Sequence, residues 1–252
     1  MIGAIEQYLI NKISSEGTIH ITLIDPEKVT PSQALAIAET ARASGTSAIM
    51  VGGSTFISTN HLDSVVRAIK REVKLPVILF PNNVTAISRY ADAIWFMSLL
   101  NSTDPYFIIG AHVLGAPLVK KYRLEPIPMG YIIVGEGGTA GIVGKAIPIP
   151  YDKPELAAAH ALAGQYLGMR FIYLEAGSGA KSPVPREMIR MVKQSIDVPL
   201  IVGGGIKSKD QAEAATSAGA DIIVTGNVVE NNQVKDKVSE IVEGIKRGKF
   251  RV

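Results

Sequence analysis

Residues 201–206 read IVGGGI, and a second apolar run closes on VTGN at 224–227. Each run stops at glycine, a residue that accepts positive φ and lets another group come close to the backbone. Two readings are open for the pair. They are strand-to-helix turns and nothing more, or they are two amide cradles that share one phosphate.

Working outward, short β-rich apolar runs recur at 19–24, 47–51, 76–80, 93–97, 129–134, 170–175, 198–202 and 221–225. Runs such as VPLIV are apolar throughout, as parallel strands covered on both faces should be. Helical patterns at 31–44, 59–73, 153–168, 184–195 and 208–218 lie between several of them. The first has Thr30 as a candidate cap with Pro31 behind it, and the last has Ser208. Eight strand–helix units in 252 residues predict a single TIM (β/α)8 barrel domain over 1–252. A doubly wound open sheet is the alternative. One unit is irregular, because PNNVTAISRYADA (81–93) is short for a helix with two loops. The glycine- and proline-rich segment 135–152 is expected to be a long mobile loop.

The totals exclude several classes. Hydrophobic residues make up 47% of the chain, ample for a core. No run approaches the ~18 apolar residues of a membrane span. The first residues follow helical spacing rather than the basic-then-apolar plan of a signal peptide, so a cytoplasmic location is expected. There are no cysteines, hence no disulfide or thiolate site. The four histidines, His20, His61, His112 and His160, form no zinc-like spacing and read as surface or satisfied polar groups. A net charge of +3 without a Lys/Arg block argues against nucleic acid. It suits an anionic small molecule or contact with an acidic membrane surface.

In a barrel, function gathers at the C-terminal ends of the strands. Those ends read IDPEK, VGGST, YLEAGSGAKSP, VGGGI and TGN. The last two lie where barrels bind phosphate, which favours the cradle reading, and the loop AGSG (176–179) with Ser178 can close a third side. Asp25 is either a helix cap or a ligand for a hard cation completed by substrate oxygens, with Ser54 adding a hydroxyl. Glu175, beside Tyr173, either orients or deprotonates an alcohol, or forms an ion pair in the barrel mouth.

LIDPEK, VGGS, YLEAGSGA, VGGGI and TGN, in that order, resemble the geranylgeranylglyceryl phosphate synthases of archaea and their bacterial heptaprenyl relatives over essentially the whole chain. The resemblance implies a modified TIM barrel whose third helix is replaced by an extended segment, matching 81–92. It implies Mg²⁺-dependent transfer of a prenyl group from geranylgeranyl diphosphate to the 3-hydroxyl of sn-glycerol 1-phosphate, the first ether bond of archaeal membrane lipids. Carried over, Asp25 and Ser54 fall on the Mg²⁺ positions. Tyr173, Leu174, Glu175, Ala176, Gly177, Ser178 and Gly179 fall on the glycerol phosphate segment, and Gly204, Gly205, Gly226 and Asn227 on the phosphate cradle. Asp25 and Glu175 are the implied catalytic pair. Part of the family carries a lysine where this chain has Leu23; its absence resembles the larger archaeal subgroup. A homo-oligomer, dimer or hexamer, is implied as well.

On this reading the prenyl tail needs an apolar channel, and AIWFMSLLNS (93–102) with the GYIIVG strand supplies it. Trp95 and Phe96 are equally suited to ordinary barrel packing. Two rivals use the same cradle: a phosphosugar isomerase or aldolase, and a non-catalytic phosphoryl-ligand sensor. An aldolase would place a Schiff-base lysine at a strand end, and none of the eight strands has one.

Overall fold

A computed structural model describes residues 2–54, 58–226 and 234–249. Eight parallel strands close into a barrel in sequence order: β1 (Ile19–Ile24), β2 (Ala48–Val51), β3 (Val77–Leu79), β4 (Ala93–Leu99), β5 (Glu125–Ile133), β6 (Phe171–Glu175), β7 (Leu200–Gly203) and β8 (Ile222–Thr225). Register closes the ring, with Ile19 opposite Ile222 where β1 meets β8. Alternation along each strand divides the core. Phe171 and Tyr173 point into the barrel with Trp95, Met129 and Ile201, while Ile172 and Leu174 pack outward against the helices. The open-sheet alternative is excluded by this closure.

The helices wrap the barrel: α1 (Ala4–Glu16), α2 (Pro31–Ala43), α3 (Thr59–Glu72), α4 (Ala111–Tyr122), α5 (Gly138–Val143), α6 (Pro154–Tyr166), α7 (Arg186–Ser195), α8 (Lys209–Ser217) and α9 (Val234–Gly248). Both caps named from sequence form complete capping boxes, Thr30 with Gln33 and Ser208 with Gln211. Residues 81–92 contain no helix, as the resemblance implied. The sequence reading placed no helix over α4, whose Gly115 and Pro117 disguise it, nor over α9.

The segment 135–152 corrects the expectation of a loop. It contains α5, and isolated bridges join Val134 to Ile149 and Ser102 to Ala146. Asn101 donates from its amide to the carbonyls of Ile133 and Ile147, tying the segment to β5. β5 itself begins four residues earlier than expected and accepts Pro126 and Pro128.

α1 closes the end of the barrel opposite the strand C-termini. The Glu125 carboxylate accepts hydrogen bonds from the backbone N–H groups of Ile5 and Glu6, satisfying orphan donors of the first turn. The Glu6 side chain is fully buried and meets Arg170 in a bidentate pair at 2.5 and 2.7 Å.

Between barrel and helices, buried His20 is hydrogen-bonded at 2.9 Å to the hydroxyls of both Thr46 and Thr225. Burial drives its pKa down to about 3. The unfolded chain therefore takes up this proton first, near pH 6.5. Stability from the neutral ring is complete above that pH and falls toward pH 3, by about 1.4 kcal/mol per unit. Urea unfolding at pH 7.5 and pH 5 should show a lower midpoint at pH 5. In His20→Gln, which keeps a donor and an acceptor, that difference should shrink.

Candidate active site

At the C-terminal rim a cavity of about 500 Å³ runs from Asp25, Ser54 and the β7 and β8 glycines to Phe96, His112 and Ala140. Its polar end is built around Glu175, the last residue of β6 and only 7% exposed. Its carboxylate accepts from the backbone N–H of Gly177 at 2.7 Å and from the phenols of Tyr173 and Tyr131. Burial raises its pKa, and these three donors oppose the rise without cancelling it. Burial and the adjacent carboxylate hold both phenols well above the ordinary tyrosine value, so they stay protonated donors.

The glycine triplet has a steric reason here. A Cβ at Gly203 would stand 2.0 Å from the Tyr173 hydroxyl. One at Gly204, where φ is +81°, would stand 2.5 Å from Glu175 Oε1 and 2.7 Å from the Gly177 nitrogen. The triplet thus lets β7 lie directly against the β6 site. Gly226 differs: its nearest neighbour would be Leu23 at 3.4 Å, an ordinary contact. Asn227 lies outside the described residues.

Asp25 and Ser54 share the rim. A Cβ on Gly53 would lie 2.6 Å from Asp25 Oδ1, which places that carboxylate against the backbone beside Ser54. Asp25 also accepts from the N–H of Glu27 at 3.1 Å, so the helix-cap role named from sequence is present too. Among the described residues there is no group of three or more Asp, Glu or His side chains able to enclose a metal. One carboxylate and one hydroxyl fit a hard cation completed by substrate oxygens, not an all-protein cage.

Not every sequence candidate faces the cavity. Ser178 and Gly179 line it, but Leu174 and Ala176 turn their side chains into the layer between sheet and helices and can offer only backbone. Trp95 and Phe96 line the cavity, and Trp95 is at once a fully buried barrel-core residue.

Two contributors escaped the sequence reading, and a third, Tyr131, entered it only as part of the apolar GYIIVG strand and not as a partner of Glu175. Tyr131 lies inside an apolar strand, where only its alternation with Met129 marks it as inward-facing. Phe80 directly follows β3 and lines the cavity. Lys207, two residues past Gly205, lines it as well and donates its ammonium to the Ala180 carbonyl at 3.1 Å.

The PcrB family profile matches residues 11–245 of this chain. The chain belongs to the PcrB family. It is 58% identical to the geranylgeranylglyceryl phosphate synthase of Pyrococcus abyssi, over 98% of both chains. With the synthase of Thermofilum pendens the identity is 53%, over 98% of this chain and 97% of the other. Among solved structures, the (S)-3-O-geranylgeranylglyceryl phosphate synthase of Thermoplasma acidophilum, in complex with sn-glycerol-1-phosphate, superposes with a TM-score of 0.93. That pair is 44% identical and covers 98% of this chain and 99% of that one.

Within this PcrB-family site the two rim glycines Gly204 and Gly226 should behave differently. Gly204→Ala forces positive φ on a residue with a Cβ and drives that carbon into Glu175, costing at least about 2 kcal/mol. Gly226→Ala meets no such conflict and should keep its melting temperature within about one degree, the shift of a few tenths of a kcal/mol. Thermal melts of both variants check this, and equal losses would contradict it.

Proposed function

We propose that the protein joins geranylgeranyl diphosphate to the 3-hydroxyl of sn-glycerol 1-phosphate and releases diphosphate. The observation that carries this reading is a buried, hydrogen-bonded carboxylate, Glu175, in a cavity lined by the β7 and β8 glycines at one end and by apolar side chains at the other. The names of the relatives and the ligand of the Thermoplasma acidophilum complex support it.

The residues divide the work. Backbone N–H groups around Gly204, Gly205 and Gly226 bind the glycerol phosphate, with Lys207 adding a positive charge beside them. Glu175 orients the free hydroxyl and accepts its proton, and burial makes it a stronger base than an exposed glutamate. The apolar wall from Trp95 and Phe96 to Ala140 takes the prenyl tail and keeps water from the reacting carbon. Asp25 and Ser54 are the residues that would hold Mg²⁺, in keeping with their place together on the rim. Bound there, the ion would neutralise charge on the departing diphosphate.

Exposed apolar side chains, among them Val113, Leu114, Ile142 and Ile147, support assembly of a homo-oligomer. No helix among the described residues is long and apolar enough to cross a membrane, so meeting a lipid substrate would call for contact at the surface only.

Diphosphate release, measured with each glycerol phosphate enantiomer, tests the reaction directly. Turnover should require sn-glycerol 1-phosphate, stop in excess chelator and return with Mg²⁺. Asp25→Asn should lose most turnover yet still bind glycerol phosphate. Full activity in chelator would remove the metal from the reading.

For Glu175 the expectation concerns pH. Rate should rise as its carboxylate deprotonates, with a midpoint above the ~4.3 of an exposed glutamate. Glu175→Gln should lower kcat on the order of 10²-fold and lose that limb of the profile.

A further inference from the structure

Phe80 is the residue that spans the two halves of the site. On one side its main chain abuts the turn after β2: a Cβ on Gly52 would fall 1.9 Å from the Phe80 carbonyl oxygen. The next residue, Gly53, bears on the Asp25 carboxylate and precedes Ser54. On the other side the Phe80 ring stacks on Tyr173, with centroids 5.7 Å apart and planes 17° apart. It also meets Tyr131 edge-on at 5.5 Å, and the two tyrosines meet each other at 5.2 Å. Both of those phenols bind Glu175. A path from the Asp25–Ser54 corner to Glu175 therefore runs past an aromatic cluster of which Phe80 is the one member without a polar atom.

We propose that Phe80 is a catalytic group whose π-face stabilises the positive charge developing on the allylic carbon during transfer. The proposal rests on the prenyl-transfer reading above. In the step concerned, the allylic C–O bond breaks and its electron pair leaves with diphosphate. A lone pair of the glycerol 3-oxygen forms the new C–O bond, and the proton on that oxygen passes to Glu175. Between breaking and forming, the carbon carries positive charge in a pocket emptied of water. The face of an aromatic ring attracts such a charge, and does so more strongly when desolvated. A phenyl ring brings this π-face without a heteroatom lone pair that would capture the cation. The stacked Tyr173 and edge-on Tyr131 fix the ring, so no reorganisation accompanies the reaction.

Fluorination separates this role from packing, because it drains the π-face while leaving the ring's shape almost unchanged. Phenylalanine bearing one, two or three fluorines is incorporated at position 80. Single-turnover diphosphate release is then followed with saturating geranylgeranyl diphosphate, sn-glycerol 1-phosphate and Mg²⁺. The logarithm of the rate should fall steadily with each fluorine, reaching about 30-fold for the trifluoro ring. Glycerol phosphate affinity should stay within about twofold, since the cradle is untouched. Phe80→Leu should fall at least as far as the trifluoro ring, and Phe80→Trp should retain most of the rate. A flat fluorine series, or a loss that does not follow fluorine number, overturns the proposal even if Phe80→Leu is slow or unfolded. Wild-type protein that releases no diphosphate at all overturns the prenyl-transfer reading instead, and that outcome is visible before any variant is made.

Discussion

A buried carboxylate at the mouth of an apolar barrel is the constraint around which this rim is arranged. An ionised Glu175 with only 7% exposure would be costly if left alone. Three donors converge on it, and each imposes a demand further out. The Gly177 N–H requires the tight turn of AGSG. The phenols of Tyr131 and Tyr173 require two inward-facing positions on neighbouring strands, and these residues are paired in the β5–β6 register. The phenol of Tyr173 and the carboxylate in turn leave no space for side chains on β7, so that strand ends in glycine. The motif IVGGGI is thus shaped by its neighbour's tyrosine and carboxylate, whatever anion its amides are proposed to hold.

The same economy applies at the rim's other corner. Asp25 holds the short turn after β1 through the Glu27 N–H while presenting its carboxylate beside Gly53 and Ser54. A residue bound on one side by backbone has fewer rotamers to lose when a ligand arrives on the other. The cap and the ligand position were rival interpretations in the sequence. In three dimensions the cap is present, and the same carboxylate still borders the cavity beside Gly53 and Ser54, so the proposed ligand role does not displace it.

Much of this was legible in the chain. Strand positions followed from apolar runs that parallel sheets bury on both faces, and rim residues followed from where those runs stop. What escaped had specific causes. Helix α4 carries Gly115 and Pro117, both poor helix formers, so its composition hides it. The run 135–152 reads as loop by composition, yet positive φ at Gly135, Gly137 and Gly138 folds it into short turns around α5. Phe80, and Tyr131 as a donor to Glu175, are invisible in the sequence because aromatic residues in apolar strands are the ordinary material of a core. Only closure of the barrel brings β3, β5 and β6 to one point. Leu174 and Ala176 show the converse, a motif whose alternate side chains serve the outer layer.

The plug at the barrel's other end bears on how the chain comes together during synthesis. Helix α1 leaves the ribosome well before its partners: the carboxylate that caps it lies about 120 residues later and the arginine that neutralises Glu6 lies 164 residues later. Until Arg170 has been made Glu6 lacks its counter-charge, and until β5 has begun α1 lacks its Glu125 cap. Its docking is therefore a late, long-range event that can occur only once most of the barrel exists. A chain interrupted before residue 170 would keep its first helix exposed, marking it as unfinished to any factor that recognises loose amphipathic segments.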